Sequence, residues 1–171
     1  MATTRAVATR RGVKSDRPAR EKLERVLPCH GQVESPIGSA KHSFGEGSML
    51  IARPLDVDAL VRRIRRGRVA TMGQIRDRLA QDAGADFTCP LTTGIFLRLV
   101  AEAAEEDRCA GVARIAPYWR VIRDNGELID KFPGGVASQA AMLKAEGFKV
   151  GTIGRGRKLK VLGFEALLAK L

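Results

Sequence analysis

The sequence has few residues that could build a metal site or a disulfide framework. It contains only three cysteines, Cys29, Cys89 and Cys109, and two histidines among its 171 residues. The cysteines are odd in number and do not stand at the spacing of zinc ligands, which argues against a structural metal. The sequence therefore predicts no metal and no cofactor, and a reducing compartment.

Long apolar runs are also missing. No run approaches the roughly 20 residues of a membrane-spanning helix, and the N-terminal residues have no apolar stretch of a secretory signal. Their richness in Arg, Ala and Thr is compatible with an organelle transit peptide, although Asp16 and the many turn-forming residues favour a plain basic tail. We expect a cytoplasmic, nucleoid-associated protein with no membrane partner. Because aromatic residues make up only 5% of the chain, the core must rest on aliphatic side chains.

Positive charge dominates what is present. Thirty Lys and Arg residues against nineteen Asp and Glu residues give a net charge of +11 and a pI of about 10.3. Such a surplus favours a polyanionic partner, because bound Lys and Arg release counterions condensed on phosphates. Charge alone separates nucleic acid poorly from an anionic membrane, and a basic surface without a specific partner remains the simpler alternative.

Composition divides the chain into three parts. Residues 1–48 are first basic and then rich in Gly, Ser and Pro, which predicts a largely disordered tail and linker. Residues 49–150 carry the helical periodicity of a folded domain. Residues 151–171 are predicted to be a strand and helix extension that packs on this domain.

The domain begins with a helix that carries a cluster of arginines. Asp56 is a candidate N-cap, and apolar residues follow at the spacing of one buried helical face before Gly67. The helix dipole alone could explain cations in a last turn. Their density favours instead a surface that faces phosphates, and the cluster consists of Arg62, Arg63, Arg65, Arg66 and Arg68.

Two helices joined by a polar turn come next. Thr71 and Gln74 have the spacing of a capping box, and Gly84 ends the helix that they open. Pro90 suits the first turn of a second apolar-periodic helix, predicted over residues 90–106. The pair predicts a helix-turn-helix. Further on, we expect a helix over residues 136–146, two strands at residues 148–150 and 158–162, and a helix over residues 164–171.

The order of these elements resembles one family. Residues 67–75, Gly-Arg-Val-Ala-Thr-Met-Gly-Gln-Ile, match the Gly-x-Val-x-Thr-Tyr-Gly-x-Ile segment of DNA alkyltransferases (methylated-DNA–protein-cysteine methyltransferases) except at Met72. Residues 117–121, Pro-Tyr-Trp-Arg-Val, stand where that family has Pro-Cys-His-Arg-Val, and a Gly-rich loop and a helix ending in Glu-Gly follow. The resemblance implies an α+β, mainly helical fold: a winged-helix-like helix-turn-helix with a small β-hairpin and a C-terminal helix.

The resemblance also implies that the reactive residues are gone. Tyr118 occupies the position of the family's nucleophilic cysteine and Trp119 that of its histidine base. A phenol is a poor nucleophile near neutral pH and an indole is no base. Met72 replaces the family's phosphate-contacting tyrosine, and Arg98 is the nearest candidate for the arginine that replaces an extruded base. The tripeptide Pro-Cys-His at residues 28–30 lies upstream of the helix-turn-helix and is read as coincidence.

The sequence therefore predicts a non-catalytic, alkyltransferase-like DNA-binding protein that acts as a monomer, with alkylated or damaged duplex DNA as ligand and repair proteins as further partners. An enzyme that uses Cys89 or Cys109 as an unusual acceptor, and an RNA- or protein-interaction module, remain alternatives. The predicted pocket comprises Tyr118, Trp119, Gly134 and Gly135, although both rings could equally be core packing. The predicted nucleic-acid contacts are Arg62, Arg63, Arg65, Arg66, Arg68, Thr71, Met72, Gln74, Arg98 and Arg120.

Overall fold

A computed structural model describes residues 17–35, 47–152 and 157–171 of the chain. The basic stretch of residues 1–16 and most of the predicted linker, residues 36–46, lie outside the described residues. The helices are α1 (Ala19–Glu24), α2 (Pro54–Arg63), α3 (Met72–Ala83), α4 (Pro90–Cys109) and α5 (Gly135–Ala145). The strands are β1 (Gln32–Glu34), β2 (Met49–Ile51), β3 (Ala70–Thr71), β4 (Phe87–Thr88), β5 (Val121–Ile122), β6 (Val150–Gly151) and β7 (Lys160–Val161).

Helix α2 is shorter than its sequence pattern predicts. It starts at Pro54 with Arg53 as N-cap, so Asp56 lies in the first turn and does not cap the helix. Proline explains this start, because its fixed φ suits the first helical position. The helix ends at Arg63, and Arg65 therefore belongs to the turn that follows.

The helix-turn-helix is confirmed by α3 and α4. Thr71 Oγ1 accepts a hydrogen bond of 3.1 Å from the Gln74 N–H, and Gln74 Oε1 accepts one of 3.1 Å from the Thr71 N–H. Gly84, with φ of 66°, ends α3 in the left-handed conformation. Helix α4 starts at Pro90 as predicted but runs 20 residues to Cys109, which is about 30 Å.

The strands form three small sheets in the described residues. β2 pairs antiparallel with β1 and parallel with β4. β3 pairs parallel with β5, with Ala70 opposite Val121 and Thr71 opposite Ile122. β6 and β7 form the predicted hairpin, with Val150 opposite Val161. The mixed α+β class is confirmed.

The predicted helix over residues 164–171 is wrong. Only Phe164–Leu167 form a single 3-10 turn, after which the chain is extended. Leu168 forms a parallel bridge with Val69, and the Ala169 N–H donates to the Val69 carbonyl at 2.7 Å. In this extended segment, residues 168–171, the backbone therefore pairs with the free edge beside β3 and with the side chains of Gln74 and Arg78, and not within a helix.

Part of the predicted disordered tail belongs to the fold. Helix α1 packs on α4 and buries Ala19 and Leu23. The carboxylate of Glu106 accepts the Ala19 and Arg20 backbone N–H groups at 2.6 and 2.9 Å, and Arg20 forms an ion pair with Asp107. The acidic end of α4 would repel phosphate if it were free, but α1 occupies it. The same contacts explain why residues 17–24 are ordered.

Candidate nucleic-acid interface

Tyr118 is a core residue. Its side chain is 1% exposed, and its ring packs edge-on against Trp119 and Phe132 with centroid distances of 5.5 and 5.3 Å. The hydroxyl group donates a hydrogen bond of 2.9 Å to Glu105 Oε1. Burial, together with the hydrogen bond to Glu105, raises the pKa of the phenol far above its ordinary value. The family's nucleophile position is therefore filled by a neutral, fully packed ring.

Trp119 and Arg120 are held by one carboxylate. The Trp119 indole N–H donates to Glu146 Oε1 at 2.9 Å, and the Arg120 guanidinium forms an ion pair with the same oxygen at 2.7 Å. Arg120 also donates to the Ile64 carbonyl at 2.6 Å, and its side chain is only 13% exposed. Burial would raise the pKa of Glu146, but the hydrogen bonds from Arg120 and Trp119 outweigh it and lower this pKa. The donors of Arg120 are used inside the protein, and its contact with nucleic acid stays a prediction.

Gly134 and Gly135 turn the chain into α5. Both have positive φ, 71° and 64°, and a Cβ on Gly134 would come within 2.6 Å of Ser138. Behind them, the buried Gln139 accepts the Ile129 N–H at 2.7 Å and donates to the Val121 carbonyl at 2.7 Å. Sequence reasoning missed Gln139, because a glutamine on a helix normally faces solvent.

A cavity of about 310 Å³ lies between the first half of α4 and residues 123–132. Leu91 and Ile95 stand at this cavity and are 63% and 55% exposed, unusually high values for large apolar side chains of a helix. Phe132 belongs to the cavity wall and also contacts the Tyr118 ring. The cavity is lined by Met72, Pro90, Leu91, Gly94, Ile95, Leu97, Arg98, Arg123, Ile129, Lys131 and Phe132. None of the residues of the predicted pocket, Tyr118, Trp119, Gly134 and Gly135, lines this cavity, and Phe132 lies between the cavity and the Tyr118 ring.

Three cations stand among the residues that line this cavity, which we call the α4 cavity. Arg98 pairs with Glu102 at 2.8 Å on an exposed face, and Arg123 pairs with Asp130 at 2.6 Å. The hydrogen bond from Arg123 lowers the pKa of Asp130. Lys131 is exposed, and its charge also contributes to lowering the pKa of Asp130. Exposed ion pairs are weak, so these cations can exchange a carboxylate for a phosphate.

The predicted arginine cluster forms a separate surface. Arg62 is tied to Asp58 at 2.7 Å and to the Arg114 carbonyl at 3.0 Å, and Arg68 donates to the Ala166 carbonyl at 3.1 Å. Arg66 instead lies close enough to Glu146 to lower the pKa of that carboxyl. A groove of about 690 Å³ is lined by Arg62, Arg63, Arg65, Arg68, Leu168, Ala169 and Lys170, and we call it the arginine groove.

The two surfaces lie at opposite ends of one short strand pair. Arg68 precedes β3 and lines the arginine groove, whereas Met72 follows β3 and lines the α4 cavity. Arg123 leaves the parallel strand β5 at the same end as Met72. The four residue steps from Arg68 to Met72 span about 13 Å if the chain is extended. Of the predicted contact residues, Arg62, Arg63, Arg65 and Arg68 thus line one surface, and Met72 and Arg98 line the other.

Two further predicted contacts act within the fold. Thr71 is buried and caps α3, and the Gln74 amide also donates to the Ala169 carbonyl at 3.1 Å. These groups hold the start of α3 and the extended segment together. They lie on either side of Met72 in the sequence, and their contact with nucleic acid stays a prediction.

The cysteines do not form a reactive pair at the α4 cavity. Cys89 is buried and precedes Pro90, while Cys109 is exposed at the other end of α4, about 30 Å away. Cys29 is exposed in the turn before β1, and the neighbouring His30 accepts the Leu27 N–H at Nδ1. Within residues 17–35, 47–152 and 157–171, no group of His, Cys, Asp and Glu could hold a metal ion, and no helix is long and apolar enough to cross a membrane.

Comparison with known proteins decides the family. The family described as 6-O-methylguanine DNA methyltransferase, DNA binding domain, matches residues 55–148. The chain belongs to this alkyltransferase family. The matched range covers α2 to α5 and both surfaces except for the segment at residues 168–170, and it confirms the resemblance that the sequence motifs indicate.

Two solved structures are similar to the chain. S. pombe Atl1 in complex with damaged DNA containing O6-carboxymethylguanine is 21% identical, with a TM-score of 0.49, and the alignment covers 69% of this chain and 94% of that chain. S. pombe ATL in complex with DNA is 22% identical, with the same TM-score and coverage. No curated protein matches the sequence.

Proposed function

We propose that this chain is a non-catalytic member of the alkyltransferase family that binds duplex DNA through the first half of α4. The observation that carries the proposal is the α4 cavity, an open apolar space on the second helix of a helix-turn-helix with cations in its lining. The reactive position of the family, by contrast, is filled and buried.

The exposed apolar residues fit insertion into a groove. Leu91 and Ile95 are one helical turn apart on the exposed face of α4, where water contact costs free energy unless a partner covers them. Proteins that deform DNA insert such side chains between base steps, and adjacent cations bind the phosphates. The cations Arg98, Arg123 and Lys131 line the α4 cavity and are available for such phosphate contacts.

The α4 cavity suits an extruded base. Its volume of about 310 Å³ is at the lower end of the range of ligand pockets. Its aromatic and thioether side chains, Phe132 and Met72, offer apolar contact to a base face or an alkyl group. We therefore propose alkylated DNA as the preferred ligand, in the cytoplasm or nucleoid, with repair proteins as downstream partners of the monomer.

Alkyl transfer finds no acceptor at the α4 cavity. None of its lining residues is a cysteine or histidine. Tyr118 lies behind Phe132 as a neutral phenol, and the Trp119 N–H is bound to Glu146. Incubation with duplex DNA carrying a labelled methyl group on O6-methylguanine tests this point. We expect the label to stay on the DNA, and label retained on the protein would overturn the non-catalytic assignment.

Fluorescence anisotropy with a duplex across several salt concentrations tests the interface. We expect Leu91→Ala/Ile95→Ala to weaken binding about tenfold. Leu55→Ala is the matched control, since Leu55 is an exposed leucine of α2 outside the α4 cavity. Equal affinity of the double variant and the wild type would contradict the assigned face. Tighter binding of structured RNA than of duplex DNA would favour the RNA-module alternative.

Gly94 allows a separate test of the α4 cavity. A Cβ at this helical position would have only Met72 Cε as a neighbour, at 4.0 Å, so a larger side chain fits by occupying the cavity. We expect Gly94→Leu to remove any preference for O6-methylguanine over undamaged duplex while the protein stays folded. A wild-type protein with no such preference would refute lesion recognition without refuting DNA binding.

A further inference from the structure

We propose that the arginine groove is a second DNA site, which binds the phosphate backbone of a duplex segment other than the one bound at α4. A single protein would then join two DNA segments. This inference goes beyond the proposed function, which places only one duplex on the protein.

The charge of the arginine groove is concentrated and partly fixed in position. All five of its ionisable lining residues are cations, and no acidic residue lines it. Arg62 and Arg68 are held by protein oxygens and form a pre-organised floor. The exposed residues Arg63, Arg65 and Lys170 have no partner among the described residues. Uncompensated cations of this kind attract a chain of phosphates.

The lining chemistry indicates backbone contact without base reading. The apolar lining consists only of Leu168 and Ala169, and no aromatic side chain is present on which a base could stack. The carbonyl of Ala169 is already occupied by the Gln74 amide. Arginine and lysine donors remain as the means of recognition, and phosphate contacts carry no sequence information.

The position of the arginine groove separates it from the α4 cavity. The strand pair β3–β5 lies between the two surfaces, and Val69, Ala70, Val121 and Ile122 are all buried there. Arg68 and Met72 leave opposite ends of β3. The arginine groove and the α4 cavity share no lining residue, so a duplex bound at α4 and a second segment bound in the arginine groove would contact different residues.

Energy transfer between two labelled DNA molecules tests this proposal. Two hairpin duplexes of about one helical turn, one with a donor dye and one with an acceptor, are mixed with wild-type protein. We expect transfer that Arg63→Glu/Arg65→Glu reduces about tenfold, while single-duplex affinity at the α4 site changes about twofold or less. Arg25→Glu/Lys144→Glu changes the net charge equally at exposed positions outside the arginine groove, and we expect it to retain the transfer.

Each of the next three outcomes would overturn the proposed second site. Transfer that persists in Arg63→Glu/Arg65→Glu would assign the bridging to another surface. Equal loss of single-duplex binding would make the arginine groove part of one continuous interface. Mass photometry that finds two proteins in each bridged complex would assign the bridging to a dimer. Failure of the α4 site is distinguishable, because Leu91→Ala/Ile95→Ala reports on that site and not on the arginine groove.

Discussion

The Tyr118 hydroxyl donates a hydrogen bond of 2.9 Å to the Glu105 carboxylate. This hydrogen bond joins the turn that replaces the family's reactive motif to the last third of α4. Glu105 also accepts 2.6 Å and 2.9 Å hydrogen bonds from Arg108. A position that carries chemistry in the family here carries a buried polar contact between two elements of the core. Loss of the nucleophile is therefore accompanied by a new structural role for the residue that replaced it.

Replacement of Tyr118 by phenylalanine tests that role. Tyr118→Phe keeps the ring contacts with Trp119 and Phe132 and removes one hydrogen bond to a charged acceptor. We expect the free energy of unfolding, measured by urea denaturation, to fall by about 1–2 kcal/mol. DNA affinity should stay unchanged. A variant with normal stability but impaired lesion binding would show that the hydroxyl reaches the ligand.

Removal of Glu146 should have a larger effect. Its carboxylate binds both the indole of Trp119 and the guanidinium of Arg120, and the side chains of this ion pair are only 11% and 13% exposed. Glu146→Ala leaves a largely buried cation unpaired, so we expect a loss of about 3 kcal/mol in urea denaturation. Glu102→Ala breaks the exposed pair with Arg98 and should cost at most about 0.5 kcal/mol. Equal losses would mean that solvent reaches the Glu146 pair.

Local patterns predict the helix-turn-helix well. The Thr71–Gln74 capping box, the glycine that ends α3 and the proline that opens α4 each depend on nearby residues alone, and each appears in the structure. The hairpin of β6 and β7 is also predicted from the sequence, because its two strands are near each other along the chain. Such signals can be predicted because their energy comes from contacts a few residues apart.

The extended C-terminal segment and the division of the site cannot be predicted in this way. Residues 164–171 have a helical pattern, but the free edge beside Val69 offers hydrogen-bond partners from almost a hundred residues away. The sequence predicts Arg120 as a phosphate contact, and only the fold shows that Glu146, 26 residues later, binds its guanidinium. The apolar residues Leu91 and Ile95 signal the α4 cavity only once their exposure is known. Each case depends on how segments far apart in the sequence come together in the fold.

Stability should fall in acid because of the two glutamates that hold Tyr118, Trp119 and Arg120. The hydrogen bond from Arg108 is the main cause that lowers the pKa of Glu105, and Arg120 with Trp119 lowers that of Glu146. A lowered folded-state pKa stabilises the protein above the unfolded value, about 4.3 for a glutamate, and this stabilisation is lost as the pH falls through the folded pKa.

The measurement is the free energy of unfolding between about pH 3 and pH 7. We expect Glu146→Gln to be less stable than the wild type at neutral pH and to lose less on acidification. Asp86 and Asp130 also have lowered pKa values, so a reduced slope should remain. A slope as steep as that of the wild type would show that Glu146 does not contribute to the acid sensitivity.

Gly126 should report on how firmly the extended segment is anchored. Its φ is 82°, and an added Cβ would stand 2.6 Å from Phe164 Cδ1, at the start of the turn that leads into this segment. Gly126→Ala therefore combines backbone strain with displacement of the ring. Gly84→Ala is the matched control, because Gly84 has φ of 66° and no neighbouring atom within 4 Å. We expect both to lose about 1 kcal/mol from strain, and Gly126→Ala to lose a further 1–2 kcal/mol or so from overpacking. Urea denaturation of the two variants measures the difference, and equal losses would mean that Phe164 moves aside freely and anchors nothing.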